Sequence, residues 1–401
     1  MSYINHSDNI VIVNYDGSGR SIIPYEIYKY MNAPYDSSSS LPLIAAISTD
    51  DSFDNVPVLL LINLPSLEII QEIHLHSCPS NIPGCVVDDM AVVYFQPKWS
   101  PNGRYLAFLG AIEGSSTDVY LYDGINNTIR RLTSGSNQVG DFFWSPDSRW
   151  IVHEEVSNFS GWVVEAVWAA SSVHDEVRWL YSPASKQGQI LLGWLDDDRY
   201  VVYDHGMEGE SNLRLISIKS GTVSKLFPGL FFETFMDPQS GTIAIIPIEG
   251  APYNDNYETG IYLISVRNTT PRRVDIDDIN IDGWNAEVGY FLMSTYCPDN
   301  SDRLLGFTPD GTVECVSISY ASTSPDDQWT VTYEGEIQLL DSNDNLIRTF
   351  EGLGYGAVIW RPDSEGFFVN TRNLYYIDLF EFDVVQIDED GSNTQFMWFG
   401  K

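Results

Sequence analysis

Short apolar runs separated by turn residues extend over almost the whole chain. Runs such as 105–108, 118–123 and 129–133 are rich in aromatic and β-branched residues and are bounded by Gly, Pro, Asn and Asp. This pattern is typical of short β-strands. Neighbouring runs are joined by turn residues, for example at Gly124 and at Ser220-Gly221, as hairpins require. The pattern therefore predicts an all-β protein.

One motif recurs among these strands: an aromatic residue ends a strand, and a turn rich in Pro and Asp follows. The marked positions are Trp99, Trp144, Trp194, Met236, Trp284, Thr323 and Trp360. A spacing of about 40 to 50 residues with four short strands per unit is what propeller blades require. Three upstream runs, 41–48, 56–63 and 67–75, supply one more unit without the motif. We therefore predict a β-propeller of eight four-stranded blades, or of seven if one degenerate unit is not a blade.

The best copies read Trp99-Ser100-Pro101-Asn102-Gly103-Arg104 and Trp144-Ser145-Pro146-Asp147-Ser148-Arg149, and the first unit ends in Arg130-Arg131-Leu132-Thr133. They resemble the TolB-type repeat, a WD-like propeller repeat. Residues 97–150 match it closely and 94–390 loosely, with Ser148 and Asp198 where the repeat has Gly. The resemblance implies the propeller fold, and propellers of this kind serve as binding platforms, peptidase gates and occasionally enzymes. The recurrent Pro and Asp are interpreted as turn residues, and the recurrent Trp as a residue that packs between blades.

The organisation predicted along the chain has three parts. Residues 1–40 hold strands at 9–13 and 21–25 and a loop, and they complete or border the first blade. Residues 41–388 form the propeller, and 389–401 form a tail. Closure of the ring is expected to place residues from both chain ends in one sheet, because pairing protects the edge strands.

Composition limits the partners. Among 401 residues there are 21 Lys+Arg and 56 Asp+Glu, a formal net charge of −35. Nucleic acid and anionic membranes would be repelled by such a protein. The 43% of apolar residues is normal for a folded core and excludes global disorder. No apolar run reaches the length of a membrane span, and no signal peptide is visible at the start.

Cysteines bear on the compartment. Cys78 and Cys85 bracket a short loop with Pro and Gly, so a disulfide is predicted, with two free thiols as the alternative. A disulfide favours an extracellular or periplasmic location. Cys297 and Cys315 are predicted to lie toward opposite ends of one unit and to remain free thiols.

The longest predicted loops join the second and third strands of successive units and share one face. They run over 49–56, 110–117, 154–162, 205–211, 248–260 and 295–302, and they contain many carboxylates but no Lys or Arg. Such a ring focuses a negative potential, and its aromatic residues are typical interface anchors. A solvated acidic surface explains the same residues. The candidate partner-binding residues are Asp51, Asp54, Glu113, Glu154, Glu155, Trp162, Glu208, Glu210, Tyr253, Asp255, Tyr257 and Glu258.

Metal ligation has one weak signal. Asp278, Asn280 and Asp282, followed by Gly283, present oxygen ligands at alternate positions, as calcium loops do. Position twelve is Gly289 instead of Glu, and the alternation also fits a plain strand. Calcium is therefore the one cofactor considered.

Catalytic signals are mostly negative. No Gly-x-Ser-x-Gly motif occurs. Glu154-Glu155 resembles the Glu pair with which dipeptidyl-peptidase propellers hold a substrate amine. His153 aligns with Phe108 and Tyr203 of neighbouring units, which favours a packing role.

These observations lead to a functional hypothesis with two alternatives. The leading hypothesis is a non-enzymatic binding scaffold that presents the acidic loops to a basic protein or peptide, with calcium assisting. The first alternative is a propeller enzyme, a lyase or hydrolase with a metal in its central channel. The second is a structural subunit of a larger surface assembly. No nucleic-acid partner and no membrane span are expected.

Overall fold

The computed structural model describes residues 2–4, 10–14, 18–22, 35–48, 57–64, 66, 68–75, 97–113, 116–135, 137–158, 163–183, 189–204, 212–228, 231–247, 258–276, 279–286, 288–297, 303–316, 322–333, 335–354, 356–361, 363–371, 373–388 and 396–397. All regular elements in these ranges are β-strands. No helix of this part of the chain is long and apolar enough to cross a membrane.

The first half of the chain contributes β1 (Ser2–Ile4), β2 (Ile10–Ile12), β3 (Ser21–Ile22), β4 (Tyr35–Ser37), β5 (Leu43–Ser48), β6 (Val58–Asn63), β7 (Ile69–His74), β8 (Lys98–Trp99), β9 (Tyr105–Gly110), β10 (Asp118–Asp123), β11 (Thr128–Arg131), β12 (Gln138–Trp144), β13 (Trp150–Asn158), β14 (Val163–Ser171), β15 (Val177–Tyr181), β16 (Gln189–Trp194) and β17 (Arg199–Asp204).

The second half contributes β18 (Asn212–Ser217), β19 (Val223–Pro228), β20 (Phe231–Asp237), β21 (Thr242–Pro247), β22 (Tyr262–Ser265), β23 (Asn268–Arg273), β24 (Ile281–Asn285), β25 (Tyr290–Tyr296), β26 (Leu304–Phe307), β27 (Val313–Val316), β28 (Ser322–Thr323), β29 (Trp329–Tyr333), β30 (Ile337–Asp341), β31 (Leu346–Phe350), β32 (Ala357–Trp360), β33 (Gly366–Asn370), β34 (Leu374–Asp378), β35 (Val384–Asp388) and β36 (Phe396–Met397).

The strands form four-stranded antiparallel sheets. Eight sheets each use four strands that are consecutive in the chain, from β4–β7 to β32–β35. They confirm the prediction of an all-β propeller with eight blades of this kind. A further sheet has the order β3-β2-β1-β36, so both chain ends share one sheet, as expected. The strands predicted at 9–13 and 21–25 belong to this sheet, and β36 lies within the predicted tail.

The chain divides into two compact units. Unit 1 comprises residues 1–76, 96–98 and 319–401, and unit 2 comprises 77–95 and 99–318. In unit 2, apolar clusters join each sheet from β12–β15 onward to the next, through residues such as Tyr200, Ile243 and Phe291. In unit 1, Val369 and Phe368 pack on neighbouring sheets in the same manner. Burial of apolar side chains between sheets therefore stabilises each unit.

Burial is highest in the middle strands of a sheet and lower in its edge strands. All of β9 (Tyr105–Gly110) is buried, whereas three of the five residues of β31, the outermost strand of its sheet, are exposed. When both faces of a strand are covered, its residues do not alternate between an apolar and a polar face. The sequence of such a strand is therefore continuously apolar. This difference in burial explains why some predicted strands are continuous apolar runs, whereas in others apolar and polar residues alternate.

The turn after each marked aromatic residue is built by its own side chains. The Ser145 hydroxyl donates to Asp147 Oδ1 (2.7 Å), and the Trp150 backbone N–H donates to Ser145 Oγ (2.9 Å). Ser100 and Ser324 make the same pair of contacts in their turns. The recurrent Ser and Asp are thus turn residues, as interpreted from the sequence.

Ser148 replaces the repeat's Gly without a change of backbone conformation. Its φ is 64°, close to the 69° of Gly103. The left-handed region is unfavourable for a residue with a Cβ. The side chain offers a compensation, because Ser148 Oγ accepts a hydrogen bond from the Asn102 backbone N–H of the preceding blade's turn (3.0 Å). Ser364, with φ of 61°, accepts in the same way from Asp326 N (3.1 Å).

Candidate functional site

A cavity of about 270 Å³ lies in unit 2 against the sheet β12–β15. It is walled by that sheet, by the segment that joins β11 to β12, and by the start of β10. The lining residues that carry its chemistry are Asp118, Asn137, His153, Glu155 and Trp168. A cavity of this size has room for several waters or for a small ligand group.

Strand alternation decides which side chains reach the cavity. The sequence analysis expected Glu154 and Glu155 in a loop, but β13 continues to Asn158, so both lie within a strand. Consecutive strand residues point to opposite faces. Glu155 therefore lines the cavity together with His153, whereas Glu154 is buried and is not part of its lining. The expected Glu pair is wrong as a pair, because the two carboxylates are separated by the sheet.

Glu154 instead faces the next sheet. There Tyr200 of β17 is fully buried, and its hydroxyl has no hydrogen-bond partner in the described structure. Burial raises the pKa of Tyr200 well above its ordinary value, and the negative charge of Glu154 raises it further. Glu154 is thus a buried acidic side chain in the interior of unit 2.

Glu155 is held in place by two neutral donors. Asn137 Nδ2 donates to its Oε1 (2.7 Å), and Trp168 Nε1 donates to its Oε2 (2.6 Å). Each carboxylate oxygen can accept a further bond. Within the described residues no Lys, Arg or His forms an ion pair with Glu155. The cavity therefore carries a negative charge that no cation among the described residues neutralises.

Asp118 differs from Glu155 because its charge is neutralised. It is buried, and Arg131 forms a salt bridge with it. The Thr133 hydroxyl donates to Oδ1 (2.8 Å) and the Ser116 hydroxyl to Oδ2 (3.0 Å). This network fixes the segment after β11 that forms one wall of the cavity, so Asp118 is a structural residue.

His153 is the unusual member of the lining. Its side chain is 3% exposed, and no hydrogen bond reaches Nδ1 or Nε2 from any described residue. Burial lowers the pKa of His153 to about 4, although the adjacent Glu154 backbone opposes the change. The ring is therefore neutral at neutral pH and offers one donor and one acceptor.

Two other predicted site residues are exposed and paired. The carboxylate of Glu113 lies 3.8 Å from Arg131, and that of Glu258 lies 3.5 Å from Arg273. The predicted loops contain no basic residue, but arginines of the adjacent strands approach these carboxylates. Nine further predicted residues lie outside the described residues: Asp51, Asp54, Trp162, Glu208, Glu210, Tyr253, Asp255, Tyr257 and Asp278.

The calcium prediction stays a prediction. Asp282 lies in β24 and accepts a hydrogen bond from the Ser294 hydroxyl. Asn280 precedes the strand, and Asp278 is outside the described residues. In the described ranges no cluster of three or more His, Cys, Asp or Glu could hold a metal ion.

The cysteine predictions have different outcomes. Cys78 and Cys85 lie outside the described residues. Cys297 and Cys315 form a disulfide with Cα atoms 5.8 Å apart, so their prediction as free thiols is wrong. Cys297 follows the end of β25, where its backbone N–H donates to Arg303 O, and it reaches across β26 to Cys315 of β27.

Sequence reasoning missed two residues of the site and misjudged a third. Asn137 and Trp168 carry no motif, and only the structure brings them to Glu155. His153 did carry a signal, because it is polar where neighbouring units have Phe108 and Tyr203. Its interpretation as a packing residue did not consider how its nitrogens would be satisfied.

Comparisons with known proteins show the fold and point to enzymes. No family model matches the chain. Over 133 residues it is 28% identical to the uncharacterized peptidase YuxL of Bacillus subtilis (strain 168), a match over 32% of this chain and 18% of the peptidase. The structure is similar to dipeptidyl peptidase 4 of Porphyromonas gingivalis, with TM-score 0.50 and 10% identity over 91% of this chain and 60% of that one. TolB from Acinetobacter baumannii matches with TM-score 0.34 and 15% identity over 67% of this chain and 61% of that one.

These findings confirm the TolB-like β-propeller. They contradict the hypothesis of a non-enzymatic binding scaffold, because the similar proteins include peptidases. The alternative of a propeller enzyme agrees with them better. The chain spans less than two thirds of the length of both peptidases, with 60% of the Porphyromonas gingivalis protein and 18% of YuxL covered.

Proposed function

We propose that this chain is the substrate-binding propeller of an enzyme that hydrolyses peptides, and that the Glu155 cavity holds the free amino terminus of the substrate. The observation that carries the proposal is the charge of Glu155, which two neutral donors orient and no described cation neutralises. The 28% identity to a peptidase over 32% of the chain supports peptide hydrolysis as the reaction.

The charge of the cavity favours a cationic group. Hydrogen bonds to charged groups contribute about 1.5 to 3 kcal/mol each. An ammonium group has three donors and can satisfy the unused lone pairs of Glu155. An anionic sugar acid would meet repulsion there and over a surface of net charge −35. We therefore prefer a peptide with a free amino terminus to an anionic polymer as the substrate.

The role assigned to the described residues is binding and orientation. Fixing one end of a peptide sets the position of the bonds that follow it, and such positioning lowers the entropic part of the barrier. Trp168 and Asn137 hold the carboxylate before substrate arrives, so little ordering is needed on binding. The bond-cleaving groups are assigned to none of these residues.

The proposal is tested by calorimetric titration with trialanine amide and its N-acetylated form. The free amine should bind the wild-type protein at least tenfold more tightly. Glu155→Gln should abolish this preference, because it removes the charge at nearly constant size. Glu176→Gln, which changes a partly exposed carboxylate paired with Arg178 in the same blade, should preserve it. Equal affinity of the wild-type protein for the two peptides would refute the proposal.

We also propose an oxidising compartment, outside the cytoplasm. The Cys297–Cys315 disulfide supports it, because disulfides persist mainly in such compartments.

A further inference from the structure

His153 occupies a position at which most other units place a buried apolar side chain, with half-buried Thr332 as an exception. The residue nine positions after each marked residue is Phe108, His153, Tyr203, Ile245, Met293, Thr332 or Val369. Phe108, Ile245, Met293 and Val369 are fully buried and apolar. Tyr203 faces the following sheet instead, and its neighbour Val202, which faces the preceding sheet as His153 does, is also fully buried and apolar.

His153 differs from these residues because both of its nitrogens are buried without a partner in the described structure. Leaving buried polar atoms unsatisfied lowers the free energy of unfolding. Phe would fill the same position without this cost, as Phe108 does. A side chain that is unfavourable for the fold and lines a cavity beside a carboxylate points to a function in that cavity.

We propose that His153 is a specificity-determining residue that hydrogen-bonds the first amide group of a ligand whose ammonium group binds Glu155. The inference rests on the proposed function for the role of Glu155. It adds the ligand class, which is an α-amino amide such as the first residue of a peptide.

The geometry of β13 supports this pairing. His153 and Glu155 are two residues apart on one face, so their Cα atoms are about 7 Å apart. An α-ammonium and the amide that follows it are separated by one carbon, and the two side chains can converge on them. The imidazole is neutral because burial keeps its pKa at about 4, so it matches an amide, which also offers one acceptor and at least one donor.

The size of the cavity limits the ligand. Its volume of about 270 Å³ is slightly below the range of sites for drug-sized molecules. The cavity therefore has room for a small terminal residue and the amide after it. The rest of a longer peptide would have to extend out of the cavity through its opening.

The test uses two small probes, ethylamine, which has only the ammonium group, and glycinamide, which adds the amide. Their dissociation constants are measured by calorimetry for the wild-type protein and for His153→Phe. The wild-type protein should bind glycinamide at least tenfold more tightly than ethylamine. His153→Phe should bind both alike, with its ethylamine affinity within twofold of wild type. His174→Gln, a change at an exposed histidine of the same blade, should leave the preference intact.

Further measurements separate a binding role from a structural one. His153→Phe should melt at or above the wild-type temperature, and His153→Gln, which retains a donor and an acceptor, should keep part of the glycinamide preference. A melting temperature several degrees lower for His153→Phe, or an unchanged preference, would overturn the inference. Equal wild-type affinity for both probes also overturns it but leaves the Glu155 site standing. Failure of the wild-type protein to bind either probe would overturn both proposals.

Discussion

Lowering the pH from 7 to 5 should destabilise the wild-type protein through His153. Burial lowers the pKa of this histidine from its ordinary 6.5 to about 4. Between these values the unfolded chain binds a proton that the folded protein does not. Stability is therefore lost as the pH falls below about 6.5, and the loss is complete below about pH 4.

The size of the effect follows from the two pKa values. A shift of one unit corresponds to 1.36 kcal/mol, so the full loss is about 3 kcal/mol. About 2 kcal/mol of it should appear between pH 7 and pH 5. For a cooperative unit of about 200 residues this corresponds to a decrease of about 4 to 8 °C in melting temperature.

The assay is thermal unfolding followed by circular dichroism at both pH values, for the wild-type protein and for His153→Phe. Carboxylates also begin to bind protons as the pH falls to 5. Their effect on the melting temperature is the same in both proteins and cancels when the two changes are subtracted. The variant should lose about 4 to 8 °C less than wild type over this range. Equal losses would refute the reasoning, because they would mean that His153 is protonated in the folded protein or satisfied by an unseen partner.

Three other changes should lower stability, measured by urea unfolding. Ser148→Ala removes the acceptor for Asn102 N but keeps the left-handed backbone, so we expect a loss of about 1 to 2 kcal/mol, larger than that of Ser148→Gly. Asp118→Asn breaks a buried ion pair and should cost about 3 kcal/mol or more. Cys297→Ser opens a disulfide to Cys315 and should cost about 3 kcal/mol. Losses below about 0.5 kcal/mol would contradict the assigned contacts.

The fold could be predicted because its signals are local. In the turn Trp144-Ser145-Pro146-Asp147, each hydrogen bond joins residues within five positions, so the motif specifies the turn in every unit that keeps it. Degenerate units such as that at Met236 still form blades, since alternating strands and hairpins suffice.

The site could not be predicted because it depends on strand limits and on distant contacts. The expected Glu pair required a loop at Glu154, but β13 extends to Asn158 and separates the two carboxylates. The acidic face was inferred from the absence of basic residues in the loops, whereas Arg131 and Arg273 approach from neighbouring strands. The Cys297–Cys315 disulfide was not predicted, because regular strands would place the two cysteines toward opposite ends of the blade. Cys297 lies beyond the end of its strand, and from there it can bond to Cys315.

The sheet that contains both chain ends also constrains the order of biosynthesis. Tyr3 pairs with Phe396, so this ladder spans nearly the whole sequence. At about 5 to 20 residues per second, a ribosome needs about 20 to 80 s to make a chain of this length. During that time β1 is available long before β36, with only β2 as a partner, and its other edge stays open. The sheet that begins with β1 is thus completed only when β36 has been made, and nascent chains are exposed to mispairing at this edge until then.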